Sequence, residues 1–261
     1  MDRHELLAAL HARLQPRNYL EIGVDAGASL ALSRVPSIGI DPGFAVVHEI
    51  DCDVQLVRAT SDDYFRSHNP TEKFDGEPVD LAFIDGMHLA EFALRDFIYV
   101  EAYSARTSVI VFDDMLPRNV VEAARDRQTV AWTGDVFKVT HVLRHLRPDL
   151  VVLEVDTEPT GTVVVLLPDA RSTALAEHYN DIEAAMVADG DPQDVPESVL
   201  GRTRAVDPYR LLQCAWWETL VAERQGRVAR ASLSEELAQQ DWTELRAAAL
   251  GVAPLPSASR A

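Results

Sequence analysis

Over the first two thirds of the chain, short apolar runs alternate with segments whose apolar residues recur at helical spacing. Runs at Tyr19 to Gly23, Ser37 to Ile40, Val54 to Val57, Val79 to Ile84, Ser108 to Phe112, Val151 to Val155 and Thr162 to Leu167 read as strands. Leu89, Phe92, Ala93, Phe97 and Val100 form one helical face between the fourth and fifth runs, and Val136, Val139, Leu143 and Leu146 form another between the fifth and sixth. Strands apolar on both sides and alternating with helices predict an α/β architecture, a mostly parallel sheet of seven strands with helices on both faces. Only the six residues Asp156 to Gly161 separate the last two runs, too few for a parallel crossover, so the seventh strand is expected to run antiparallel.

The ends of the chain read differently. Asp2 and Glu5 form a capping pair ahead of Leu6, Leu7, Leu10 and Leu14, a helix expected to cover the sheet without belonging to a site. After Pro168 the alternation stops. Ala188 to Pro208 is polar and rich in Gly and Pro, a connecting loop. Leu212, Trp216 and Leu220 predict one helical stripe, and Ser232 with Glu235 opens a second helix carrying Leu237, Trp242 and Leu245. The division expected is residues 1–169 as the main domain and 170–261 as a helical extension, a lid or an oligomer contact, its Trp216-Trp217 helix being interface or core. The tail from Ala253 is expected to fray.

Composition narrows the classes. The chain has 261 residues, 47% hydrophobic, with a net charge of −18, which suits a folded globular protein. Such an acid excess with no basic stripe argues against a nucleic-acid partner and against an anionic membrane surface. Cys52 and Cys214 are the only cysteines, so no disulfide framework or cysteine metal knuckle is available. No stretch approaches the roughly 20 apolar residues of a bilayer span, and the first residues lack a secretory apolar core. A soluble cytoplasmic protein is the expectation.

The first strand runs into Glu21-Ile-Gly-Val-Asp-Ala-Gly-Ala-Ser29, a turn feeding a short helix. Gly23 and Gly27 let backbone approach a ligand closely, at the crevice where open parallel sheets bind ligands. A dinucleotide fingerprint would place glycines at positions 25 and 28, where this chain has Asp25 and Ala28, and an aspartate there repels a pyrophosphate. A cofactor with a cationic amino group and no phosphate tolerates it. Asp41, ending the second strand, can accept both hydroxyls of a ribose. Tyr19 to Gly27 together with Ile40-Asp-Pro-Gly43 resembles the first motifs of class I S-adenosylmethionine (SAM) methyltransferases, which have a Rossmann-like fold. That resemblance implies Glu21, Gly23, Asp25, Gly27 and Asp41 as cofactor residues. It also implies an adenine contact from Ser61 or Asp62 after the third strand; capping of the helix holding Tyr64 and Phe65 accounts for those residues equally well.

The fourth strand ends Asp85-Gly-Met-His88 and the fifth ends Asp113-Asp114. In a parallel sheet these tips open on one edge, and three crowded carboxylates without a cation repel or take up protons, a conflict that a divalent ion resolves. Oxygen ligands favour a hard ion, magnesium or manganese. If the chain turns helical after Asp85, His88 sits one turn on, within reach of a metal-bound hydroxyl. A helical stretch after Pro117 would make Asp114 a capping residue instead. Trp132-Thr-Gly-Asp135 reads either as a turn and N-cap for the next helix or as a border of the acceptor pocket.

Asp-x-x-His with the acidic pair resembles metal-dependent O-methyltransferases of the macrocin and mycinamicin type. The resemblance spans roughly residues 18 to 168 and implies Asp85, Asp113 and Asp114 as metal ligands, Asp85 also beside the cofactor, His88 as general base, and a small-molecule hydroxyl acceptor, a sugar or polyhydroxylated compound. Some members carry Glu at the first of the pair, so the shorter Asp113 coordinates either directly or through water. A metal-independent SAM enzyme and a non-catalytic SAM-binding module are the alternatives; Asp25 weakens a nicotinamide oxidoreductase.

Overall fold

The computed structural model describes residues 1–246. Its strands are β1 (Tyr19–Ile22), β2 (Ser37–Ile40), β3 (Val54–Val57), β4 (Val79–Ile84), β5 (Ser104–Phe112), β6 (Val151–Val155) and β7 (Thr162–Leu166). Among the described residues these seven form one sheet in the order β3-β2-β1-β4-β5-β7-β6. Neighbours from β3 to β5 pair in parallel, whereas β7 runs antiparallel to both β5 and β6. The architecture is therefore a Rossmann-like, mostly parallel α/β sheet with its one reversed strand where the short β6–β7 link demands it. The strand order reverses between β1 and β4, which leaves a crevice at their C-terminal ends.

The helices are α1 (Arg3–Leu14), α2 (Ser61–Ser67), α3 (Pro70–Lys73), α4 (Ala90–Ala102), α5 (Phe137–Leu146), α6 (Ala174–Glu177), α7 (Tyr179–Ala188), α8 (Glu197–Leu200), α9 (Pro208–Gln213), α10 (Trp216–Arg224) and α11 (Ser232–Gln239). Alternation along β5 sorts them onto two faces. Ile110 and Phe112 pack with Phe97, Leu143 and Ile182 of α4, α5 and α7. Val109 and Val111 face the other way, toward Leu10 of α1 and Trp216, Trp217 and Leu237 of the C-terminal helices. The helices after residue 170 thus share both cores with the sheet. Trp216 and Trp217 are buried, 4.1 Å between centroids, so no tryptophan stripe on α10 is exposed for self-association.

Several expectations need correction. β5 begins at Ser104, not Ser108, because Ser104 pairs with Val79 of β4 beyond a register shift that precedes the Leu81–Val109 pair. The stripe at Leu212 to Leu220 is two helices, interrupted at Cys214 and Ala215. α11 ends at Gln239, leaving Trp242 and Leu245 in the turns after it, and its N-cap is Ala231, so Ser232 and Glu235 form no capping box. No helix follows Pro117; turns run from there to α5. The expected capping box of α1 is present, with Asp2 accepting from the Glu5 amide and Glu5 accepting from the Asp2 amide. The tail from Ala253 lies outside the described residues.

Candidate active site

The crevice is a cavity of about 730 Å³. The turn after β1 forms one wall. Gly23 has φ +89°, and a Cβ there would lie 1.8 Å from the Asp85 carbonyl oxygen, so only glycine lets the β1 and β4 tips touch. Asp41 organises this turn: its Oδ2 accepts the amides of Val24 and Asp25 at 2.9 Å each, and its Oδ1 accepts the Gly43 amide at 2.6 Å. Asp25 itself is exposed, in the left-handed region, on the cavity wall. Gly27, also left-handed, is packed against Val46 and does not line the cavity.

Glu21 lies underneath the turn and is not on the cavity wall. It accepts hydroxyl bonds from Tyr19 at 2.5 Å and Ser29 at 2.8 Å, and burial pushes its pKa up to about 8 against the help of those two donors. Its place is therefore support for the turn. On the far side, Thr60 N-caps α2 by accepting the Asp63 amide, which frees Ser61 and Asp62 to line the cavity. Asp62 accepts from Arg95 at 2.7 Å and Tyr99 at 3.1 Å. Asp96, which the sequence analysis did not single out, also lines the wall; burial raises its pKa to about 7, with Ser61 donating to it.

The second wall holds the charged cluster. One donor atom each from Asp85, His88 and Asp114 lie within 4.8 Å of one another. His88 Nε2 is 3.4 Å from Asp85 Oδ1, and Nδ1 is 3.3 Å from Asp114 Oδ2. Nδ1 is also 2.8 Å from the Trp132 carbonyl, which can only accept, so Nδ1 carries a proton. Burial lowers the imidazole pKa, but the Asp85 hydrogen bond and the charge of Asp114 outweigh it and lift the value to about 9. Residues 85–89 are bends and irregular chain, not the helical turn expected, and α4 starts only at Ala90. The Trp132 ring stacks on the imidazole at 5.1 Å, with the planes 12° apart.

Asp113 stands apart from that trio. Its buried side chain faces Arg3 of α1, with Nη1 2.9 Å from Oδ2. Burial, with Asp85 and Asp114 nearby, holds its carboxyl well above the ordinary range. α1 is therefore more than a cover, since Arg3 and His4 line the cavity. The only sequence signal for Arg3 was its position at the capped start of α1. Asp114 has φ +59° and accepts the hydroxyl of Thr160, another wall residue missed in the sequence. Asp135 does not cap α5, whose N-cap is Val136; it is buried and accepts the Ala90 amide at 2.9 Å at the start of α4, plus Arg125 and Lys138. Gly134 closes the loop onto His88, since a Cβ there would lie 1.6 Å from the His88 carbonyl oxygen.

Two carboxylates and an imidazole converging on one point are a donor set that suits a divalent cation, and the charges of Asp85 and Asp114 favour one. The same three groups can also serve without an ion, the imidazolium balancing the carboxylates.

A protein-family model described as a methyltransferase domain matches residues 20–115. Among solved structures, the cofactor-bound protein Rv0187 from MTB is 17% identical with a TM-score of 0.48, covering 64% of this chain and 80% of that one. An O-methyltransferase from Bacillus cereus in complex with SAH is 18% identical with a TM-score of 0.45, covering 63% of this chain and 80% of that one. The O-methyltransferase TomG from Streptomyces achromogenes, in complex with SAM, is 20% identical with a TM-score of 0.46, covering 63% and 79% respectively. No curated protein matches the chain.

Proposed function

We propose that this chain is a class I SAM-dependent O-methyltransferase acting on a hydroxyl of a sugar or polyhydroxylated small molecule. The observation that carries the reading is the juxtaposition in one cavity of a phosphate-averse glycine turn and the Asp85-His88-Asp114 cluster. The methyltransferase-domain match over residues 20–115 supports it. Residues 1–169 would hold cofactor and chemistry, with 170–261 as an extension whose described helices brace the sheet. No helix among the described residues is long and apolar enough to cross a membrane, and the reading is of a cytoplasmic enzyme without a nucleic-acid partner.

SAM, when bound, supplies a methyl group on a sulfonium sulfur, ready for displacement. The close backbone approach at Gly23 and the carboxylates of Asp25 and Asp41 suit a cationic nucleoside, with Ser61 and Asp62 at its adenine end. Glu21 and Gly27 shape the turn from behind. The residues' own task is then alignment of an acceptor oxygen with that methyl carbon, and removal of one proton as the new C–O bond forms and the C–S bond breaks.

His88 is the base in this reading: Trp132 fixes Nδ1–H by its carbonyl, which leaves Nε2 as the atom that accepts the acceptor's proton. A magnesium or manganese ion held by Asp85 and Asp114 would acidify the acceptor hydroxyl and relieve the attraction that keeps Nε2 protonated. Asp113 was expected among the ligands; its side chain faces Arg3 instead. A metal-independent variant is a second reading, favoured by Arg3 and His88 together, which already offset part of the carboxylate charge.

The test is calorimetry with SAM and its demethylated product, followed by transfer from labelled SAM to a panel of hydroxylated metabolites with magnesium or with chelator. Binding with chelator-sensitive transfer is the expected result. Transfer that survives chelation selects the second reading. Absence of binding by either nucleoside overturns both.

A further inference from the structure

The turn between β6 and β7 reaches the cavity from outside the two expected motifs. It places Pro159 and Thr160 on the wall, and the Thr160 hydroxyl donates to Asp114 Oδ1. Its backbone is laced to the exit of β5: the Leu116 amide donates to the Thr160 carbonyl at 2.6 Å and the Met115 amide to the Gly161 carbonyl at 3.0 Å. With Oδ1 engaged, Asp114 turns Oδ2 toward His88.

One side chain from the extension clamps this arrangement. Arg202 Nη1 donates to Asp156 Oδ1 at 2.6 Å and to the Thr157 carbonyl at 3.1 Å; Nη2 donates to the Leu116 carbonyl at 3.2 Å and to the Pro159 carbonyl. The guanidinium therefore bridges the β6–β7 turn and the β5 exit, and its side chain is only 15% exposed. Its own backbone is fixed nearby, because Val206 pairs with β6, donating to the Glu154 carbonyl at 2.8 Å and accepting from the Asp156 amide at 3.0 Å. Four acceptors spread over two segments require a planar fork of donors; a lysine ammonium, a point charge, cannot reach both.

We propose that Arg202 is a positioning residue that acts through Thr160 to hold the Asp114 carboxylate in one orientation, presenting a single oxygen to His88 and to the acceptor. The extension thereby tunes the reaction centre without touching it. This inference rests on the functional reading above only for its consequence in catalysis; the geometric claim stands apart from it.

The experiment uses the full chain carrying R202A, R202K, T160V, T160S and the R202A/T160V double substitution. A crystal structure of R202A should show Asp114 in a different rotamer or without its Thr160 bond; an unchanged carboxylate overturns the proposal whatever the protein's activity. In solution, R202A and T160V should keep the affinity for the demethylated cofactor within about twofold, while kcat falls about tenfold or more. T160S should retain activity, and R202K should restore little. The double substitution should be no worse than either single one, because both act on the same carboxylate. Additive losses, full rescue by R202K, or a cofactor affinity that falls along with melting temperature would each overturn it. If the wild-type chain binds no SAM, the functional reading fails while the R202A structure still decides the geometric claim.

Discussion

The glycine-turn wall and the acid-cluster wall line the same cavity and meet where Gly23 abuts Asp85, yet different forces hold them. Around Gly23 the shape follows from steric exclusion: β1 and β4 tips approach so closely that no side chain fits, and the Asp41 carboxylate collects three amides that the turn would otherwise leave unpaired. At the acid-cluster wall, Asp85, His88, Asp113, Asp114 and Arg3 are held by mutual attraction and repulsion, which shift the protonation of His88 and Asp113. One wall is preformed by steric fit and backbone hydrogen bonds. The other is an electrostatic balance, which suits the proton-accepting role proposed for His88.

Substitutions can test that contrast. The largest effect is expected from Gly23→Ala, which combines a left-handed backbone with a backbone clash; we expect a stability loss of at least about 3 kcal/mol in chemical denaturation, and no nucleoside binding. Wild-type stability in that variant would break the steric account. Next, His88→Ala is expected to lower methyl transfer by about 10² to 10⁴ while leaving affinity for the demethylated cofactor within about threefold, read by transfer kinetics and calorimetry. Loss of binding in step with transfer would merge the two walls.

Asp41→Ala leaves the Val24, Asp25 and Gly43 amides without their shared acceptor, and nucleoside affinity should weaken about tenfold, or about 1.4 kcal/mol. An unchanged titration would show that the turn needs no carboxylate. The smallest effect is a slope. The carboxyl of Glu21 titrates near 4.5 when unperturbed and at about 8 in the folded state, so between those values the folded chain holds the extra proton and stability falls as pH rises. Glu21→Gln should flatten that part of the melting-temperature profile, and a wild-type slope in the variant would mean another group is responsible.

The framework was legible because its signals are local. Val54 to Val57, Val79 to Ile84 and Val151 to Val155 are short apolar runs whose ends coincide with strand ends, and the brief link after β6 dictated the reversal of β7. Asp85, His88 and Asp114 sit at strand tips that a parallel sheet must bring to one edge. What escaped notice depends on contacts between distant segments. Arg3 meets Asp113 across the sheet's top, Thr160 meets Asp114 from a turn 46 residues on, and Asp135 caps a helix that precedes it in the chain. Periodicity carries no trace of such partners. The stripe through Leu212 and Trp216 misled for a related reason, since helical spacing persists across the break at Cys214.

The indole over His88 gives the cavity an optical signature. Trp132 is one of four tryptophans, and the other three, Trp216, Trp217 and Trp242, lie together in the extension. A charged imidazole quenches a stacked indole more strongly than a neutral one, so emission from Trp132 brightens as His88 gives up its proton. The remote trio supplies an internal intensity standard in the same spectrum.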